Sequence, residues 1–205
     1  MDHIKFSSIL TSQLLHDLAG PLGVIDNTLD LIDIEGQNNL EKDEYKFASE
    51  AAKQAIIKLK FFRTVFSASI IDKVTDDVVN VISNFLKIKK IKLSWVVSNS
   101  KNEINSDVFK LIASFLYGVN SLIPFGGEVH VSHHDSTSLF FKIKIKGQKI
   151  ARSDKILYAL NGQLTEVLNE KKLMPFICSS YYTKKLGITI ISSLSDEEII
   201  YETTV

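Results

Sequence analysis

Cysteine and arginine are scarce in this 205-residue chain. A single cysteine, Cys178, excludes an intramolecular disulfide and any cysteine-built zinc cluster. No apolar run approaches the roughly 18 residues of a membrane span, and residues 1–6 lack a secretory signal pattern, so a cytoplasmic protein is expected. Excess charge is missing too: 24 Lys and Arg balance 24 Asp and Glu. That balance argues against capture by nucleic acid or acidic membrane through bulk electrostatics. Arg63 and Arg152 are the only arginines in a lysine-rich chain. Each is therefore of interest, because a planar guanidinium takes phosphate or carboxylate in a fork that an ammonium cannot offer. What the chain has in quantity is apolar surface: 45% hydrophobic against 23% charged residues is enough for a real core.

The pattern divides the chain into two expected domains, 1–72 and 73–205. In the first, Leu15, Leu18, Leu22, Ile25, Leu29 and Ile32 alternate spacings of three and four, the seam of a helix in a coiled-coil-like bundle. Ser7, Ser8 or Thr11 offers a start, and Gly36 with Asn38–Asn39 a stop. A second helix is expected over about Lys42–Ile71, with Ala48, Ala51, Ala52, Ala55, Leu59, Phe62 and Phe66 on one face. A short connection makes the two an antiparallel hairpin. Two helices leave the outer half of each apolar stripe wet, so a homodimer closing a four-helix bundle is predicted. Beyond residue 72 the pattern predicts helices at Val74–Ile88, Asp107–Ile123, about Lys155–Glu170 and about Leu173–Lys185. Strands are predicted at Ile91–Val97, Glu128–His133, Leu139–Ile145, Ile188–Ser193 and Glu198–Thr203, forming an antiparallel-looking sheet. Together these define an α+β fold, with an α/β sandwich behind the hairpin.

The chemistry concentrates in Leu14-Leu15-His16-Asp17-Leu18-Ala19-Gly20-Pro21-Leu22-Gly23. With Leu15 and Leu18 in the seam, His16 points to solvent, and its surface neighbours Ser12, Ala19, Gly20 and Gly23 are all small. Each helical glycine costs about 1 kcal/mol relative to alanine. Pro21 removes the hydrogen bond to the Asp17 carbonyl and kinks the helix. Local conflicts of this kind around one exposed imidazole mark a functional position. A neutral imidazole is a nucleophile near pH 7 that accepts a phosphoryl group on a ring nitrogen. Asp17 is placed to hold the proton of the other nitrogen, through a leaning rotamer. If the hairpin turns near Asn39, facing residue numbers add to about 78, which brings Arg63 to the level of His16, where it could steady Asp17 or a phosphorylated ring. Gln13 completes the surface on which a partner would dock.

The run His16-Asp17-x-x-x-Pro21-Leu22 resembles the phosphoacceptor motif of histidine-kinase dimerisation helices. Together with Leu59-Lys60-Phe61-Phe62-Arg63 ending the second helix, it is similar to ChpT-type bacterial histidine phosphotransferases. The likeness is sharp over Gln13–Ile25 and Leu59–Phe66, and elsewhere rests on the order of elements. It implies a second domain derived from the kinase ATP-binding fold. Anchored on Gly126-Gly127-Glu128-Val129, the magnesium-box asparagines should fall near 114 and 118, where this chain has Ser114 and Gly118. No Asp-x-Gly-x-Gly follows, the nearest glycine being Gly147, and a Gly-x-Gly lid is absent. The resemblance thus implies a phosphotransferase without ATP or any other cofactor, with Mg²⁺ only in the partner. The implied partners are the receiver domain of a hybrid histidine kinase and response regulators. Gly20 stands where the kinases carry Thr or Asn, which puts a phosphatase activity in doubt. Two other readings stay open: a dimeric receiver-binding module without covalent chemistry, and a diverged ATP-dependent kinase.

Remaining features read as structure. His130, His133 and His134 do not converge on a metal by strand alternation. Cys178 amid Phe176 and Ile177 reads as a buried, inert thiol. Lys142, Lys144 and Lys146 form the polar face of a half-buried strand and could face an acidic partner. Lys87–Lys92 reads as a solvated run, and Trp95 is expected in the core.

Overall fold

The computed structural model describes residues 3–35, 42–67, 69–97, 103–133, 141–151, 153–163, 170–195 and 197–204. Contacts divide the chain into two compact units, Met1–Arg63 and Thr64–Val205.

The first unit consists of α1 (His3–Glu35) and most of α2 (Lys42–Phe66). α1 begins before the Ser7, Ser8 and Thr11 starts read from sequence, and runs unbroken through Pro21. α2 ends at Phe66, short of the expected Ile71. The proposed stop at Gly36 and Asn38–Asn39 lies outside the described residues. Lys58 on α2 reaches Asp17 on α1, a contact across 41 positions. Two helices joined by six residues make such a contact only by folding back into a hairpin. Within one chain the seam is half covered: Leu18 and Ile25 are half-buried, while Leu15, Leu22 and Leu29 are 62%, 54% and 51% exposed. Tyr45, Ile56 and Leu59 of α2 are exposed as well.

The second unit contains α3 (Asp76–Lys87), β1 (Ile91–Val97), α4 (Ser106–Gly118), β2 (Gly127–His133), β3 (Phe141–Lys146), α5 (Asp154–Leu160), α6 (Met174–Leu186), β4 (Thr189–Leu194) and β5 (Glu198–Thr204). The apolar stretch expected to be helical to Ile123 passes after Gly118 into a 3₁₀ turn, Val119–Ser121. Of the helix expected near Lys155–Glu170, α5 covers the first part, and residues 164–169 lie outside the described residues, as does Leu139 at the start of the expected third strand. The sheet order is β1-β2-β3-β5-β4. β1 and β2 run parallel, with α4 as their crossover, and the other pairs are antiparallel. The expected wholly antiparallel sheet is thereby corrected: side-chain alternation reports faces, not strand direction. A parallel pair requires a long connection, and α4 supplies it.

α4 is buried along Leu111–Gly118 and packs against α6, whose end Lys185 pairs with Asp107 at 2.9 Å. Phe115 stands edge-on to both Phe176 of α6 and Tyr201 of β5, so the core lies between these helices and the sheet. The inner sheet face carries Val129, Val131, Phe141, Ile143, Ile145, Ile199 and Tyr201. At the turn into β2, Gly126 has φ 87° and a side chain there would meet the Lys90 carbonyl at 2.4 Å, so glycine is required. Gly147 is needed for packing: a Cβ would lie 2.7 Å from Ile123.

Candidate active site

α1 presents His16 with its imidazole 85% exposed, and Nδ1 stands 3.9 Å from Asp17 Oδ1. That separation exceeds a hydrogen bond. The Asp17 carboxylate is itself steadied by Gln13 Nε2 at 3.4 Å, one turn earlier on the same helix. An aspartate holding the Nδ1 proton leaves the Nε2 lone pair facing solvent, which is the tautomer a phosphoryl acceptor needs.

The surround is open. Ser12, Ala19 and Gly20 are exposed and Gly23 is half-buried. A Cβ built on Gly20 or Gly23 meets nothing within 4 Å, so the chain's own packing gives no reason for either glycine. Pro21, in contrast, is buried. Its missing N–H would have bonded the Asp17 carbonyl, and that carbonyl instead accepts from Lys58 Nζ at 2.6 Å. Arg63, expected at this level from a register adding to about 78, is exposed five residues further along α2. The contact described here pairs Asp17 with Lys58, numbers that add to 75. Sequence reasoning did not single out Lys58. Its signal was half legible: Pro21 announces an orphaned Asp17 carbonyl, but which cation answers depends on the hairpin register.

In the second unit, Ser114 and Gly118 are buried, and a Cβ on Gly118 would lie 2.8 Å from the Phe176 ring. The α4 positions aligned with magnesium-box asparagines are thus occupied by core packing. On the open sheet face, Lys142 pairs with Glu202 at 3.2 Å, and Lys144 and Lys146 pair with Glu198 at 3.4 and 3.5 Å. The lysine row is paired within the sheet, as the polar face of a half-buried strand, which argues against the further possibility that it faces an acidic partner. His130 lies 3.5 Å from Glu128 on that face. His133 is buried: its Nδ1 accepts from Trp95 Nε1 at 3.2 Å, and its Nε2 faces the Glu103 carbonyl at 3.2 Å. This pair asks for a neutral ring with its proton on Nε2. Trp95 is half-buried, where full burial was expected, because β1 is an edge strand. His134 lies outside the described residues. Burial pushes the Cys178 thiol up to about 12, as an inert core cysteine requires.

An exposed imidazole beside a carboxylate on a helical hairpin, followed in the chain by an α/β sandwich, is the arrangement that comparison with known proteins connects with histidine phosphotransferases. Residues 75–198 match the family model of the histidine phosphotransferase C-terminal domain, and the chain belongs to that family. It is a phosphotransferase of the phosphorelay kind. It is 25% identical over 207 residues to protein phosphotransferase ChpT of Brucella abortus strain 2308, covering 97% of this chain and 94% of that protein. A solved bacterial phosphotransferase shares the fold with a TM-score of 0.83 and 23% identity, over 99% of this chain and 97% of that one. The histidine kinase AdeS of Acinetobacter baumannii matches more distantly, with a TM-score of 0.48 and 12% identity over 93% of this chain and 96% of that one. No helix among the described residues is long and apolar enough to cross a membrane.

Proposed function

We propose that His16 is the phosphoryl acceptor. The Nε2 lone pair attacks the phosphorus of an aspartyl phosphate on a receiver domain, an N–P bond forms, and the acyl P–O bond breaks to release the receiver's carboxylate. The Nδ1 proton stays on the ring, where Asp17 offsets the positive charge. A response-regulator aspartate then takes the phosphoryl group by the reverse displacement. Acyl phosphate and phosphohistidine are both high-energy, so catalysis is mainly positioning. Asp17 on α1 and Arg63 on α2 contribute charge to this step. The receivers of a hybrid kinase and of response regulators dock over Ser12, Gln13, Ala19, Gly20 and Gly23, whose small side chains leave a bulky partner room. Exchange takes place in the cytoplasm, with Mg²⁺ brought by the receiver and without ATP. The burial of Ser114, and of Gly118 against Phe176, supports the last point. A homodimer completes the bundle by covering Leu15, Leu22 and Leu29.

The observation that carries this reading is the 85% exposed imidazole 3.9 Å from Asp17, beside Gly20 and Gly23, where an added Cβ would meet nothing within 4 Å among the described residues. Incubating the protein with a phosphorylated receiver domain tests it: acid-labile label is expected on the wild type and not on His16→Ala. Binding without any label would favour a receiver-binding module.

A further inference from the structure

We propose that Lys58 is a positioning residue for phosphotransfer, acting through the carbonyl that Pro21 releases; this rests on His16 being the acceptor. A proline within a helix lacks the N–H that would bond the residue four positions back, and its ring presses on that same carbonyl. For Pro21 the carbonyl belongs to Asp17, the residue next to the nucleophile. It would be orphaned in the middle of a 33-residue helix. Lys58 Nζ stands 2.6 Å from it, a short charge-assisted hydrogen bond brought from the other helix of the hairpin.

The bond has a consequence at the reacting ring. Asp17 is held at two points: its carboxylate by Gln13 from the same helix and its carbonyl by Lys58 from α2. Fixing the peptide that follows Asp17 sets the direction in which the Asp17 side chain leaves the helix, and with it whether the carboxylate can reach Nδ1. Pro21 thus converts a backbone group that a regular helix uses internally into an anchor for α2. The ammonium does not touch the imidazole in this scheme; it sets the pitch of the turn that carries it.

A double-mutant cycle on the full chain tests this, using a phosphorylated receiver domain as donor and the ¹⁵N shifts of the His16 ring as a second readout. Lys58→Met is expected to slow phosphohistidine formation about tenfold and to move the ring from the Nδ1–H tautomer toward a mixture. Lys58→Arg, which keeps a long donor, is expected to restore most of the rate. In a Pro21→Ala background residue 21 again donates to the Asp17 carbonyl, so adding Lys58→Met should cost nothing more. If Lys58→Met alone does not fold, recovery of folding in the Pro21→Ala background supports the same cap. Equal slowing in both backgrounds, a wild-type rate and tautomer for Lys58→Met, or failure of both variants to fold overturns the proposal. Label on His16→Ala would instead overturn the underlying assignment of the acceptor, whatever Lys58 does.

Discussion

At the scale of single residues, the site depends on one carboxylate being near one nitrogen. Asp17 and His16 are adjacent in sequence, and adjacent helical side chains diverge by about 100°. The 3.9 Å approach therefore needs the Asp17 rotamer to lean, with Gln13 bracing it. Asp17→Asn keeps size and shape but removes the charge that, in the proposed transfer, fixes the Nδ1 proton and offsets the phosphorylated ring. Phosphohistidine formation from a phosphorylated receiver is expected to fall on the order of a hundredfold, with helicity by circular dichroism unchanged. A variant that transfers at the wild-type rate would show Asp17 to be a bystander. These two residues could be read from sequence because the signal was local. Lys58 could not, since its partner lies 41 positions away and lysines are spread along the whole of α2.

At the scale of elements, periodicity located nearly every helix and strand, and erred where it carries no information. Direction is one such place: β1 and β2 alternate like antiparallel strands, yet the intervening α4 makes them a parallel pair. Helix ends are another. α1 extends back to His3 and α2 stops at Phe66, where the chain turns to pair with α4 through Lys110 on the Ser67 carbonyl and Ser106 on the Ile71 amide. Of the expected seam, Leu18 and Ile25 are half-buried, while Leu15, Leu22 and Leu29, which recur every seven residues, remain exposed in one chain. Burying a leucine is worth roughly 1.5–3 kcal/mol, so a two-fold partner gains from both copies of the stripe. Leu22→Glu places a charge at its centre. Sedimentation at micromolar concentration is expected to show a dimer for the wild type and a species of 23.0 kDa for the variant. A wild type sedimenting as a single chain with native helicity would sink the dimer.

At the scale of the molecule, a chain with no net charge has organised its ionisable groups by place. The open sheet face pairs its lysines with Glu198 and Glu202, while the core between sheet and helices holds groups that must stay protonated. Burial raises the Cys178 thiol from near 9 to about 12. Burial, assisted by the Asp107 carboxylate, raises the half-buried Tyr182 phenol from near 10 to about 12, and burial alone pushes Tyr201 higher still. Each group is neutral when protonated and titrates later folded than unfolded, so the unfolded chain loses these protons first. Their contribution to stability is complete below the unfolded values and drains away as pH rises toward the folded ones. The midpoint of urea unfolding of the second unit should accordingly be flat between about pH 7.5 and 8.5 and fall steadily above it. Cys178→Ala lowers the whole curve, because a core side chain is truncated. It should also delay the onset of the decline to the phenolic range near pH 10, since the earliest of the three groups is gone. The position of that onset, rather than the height of the curve, separates titration from packing, and an unchanged onset would show that the thiol ionises no later in the folded chain than in the unfolded one.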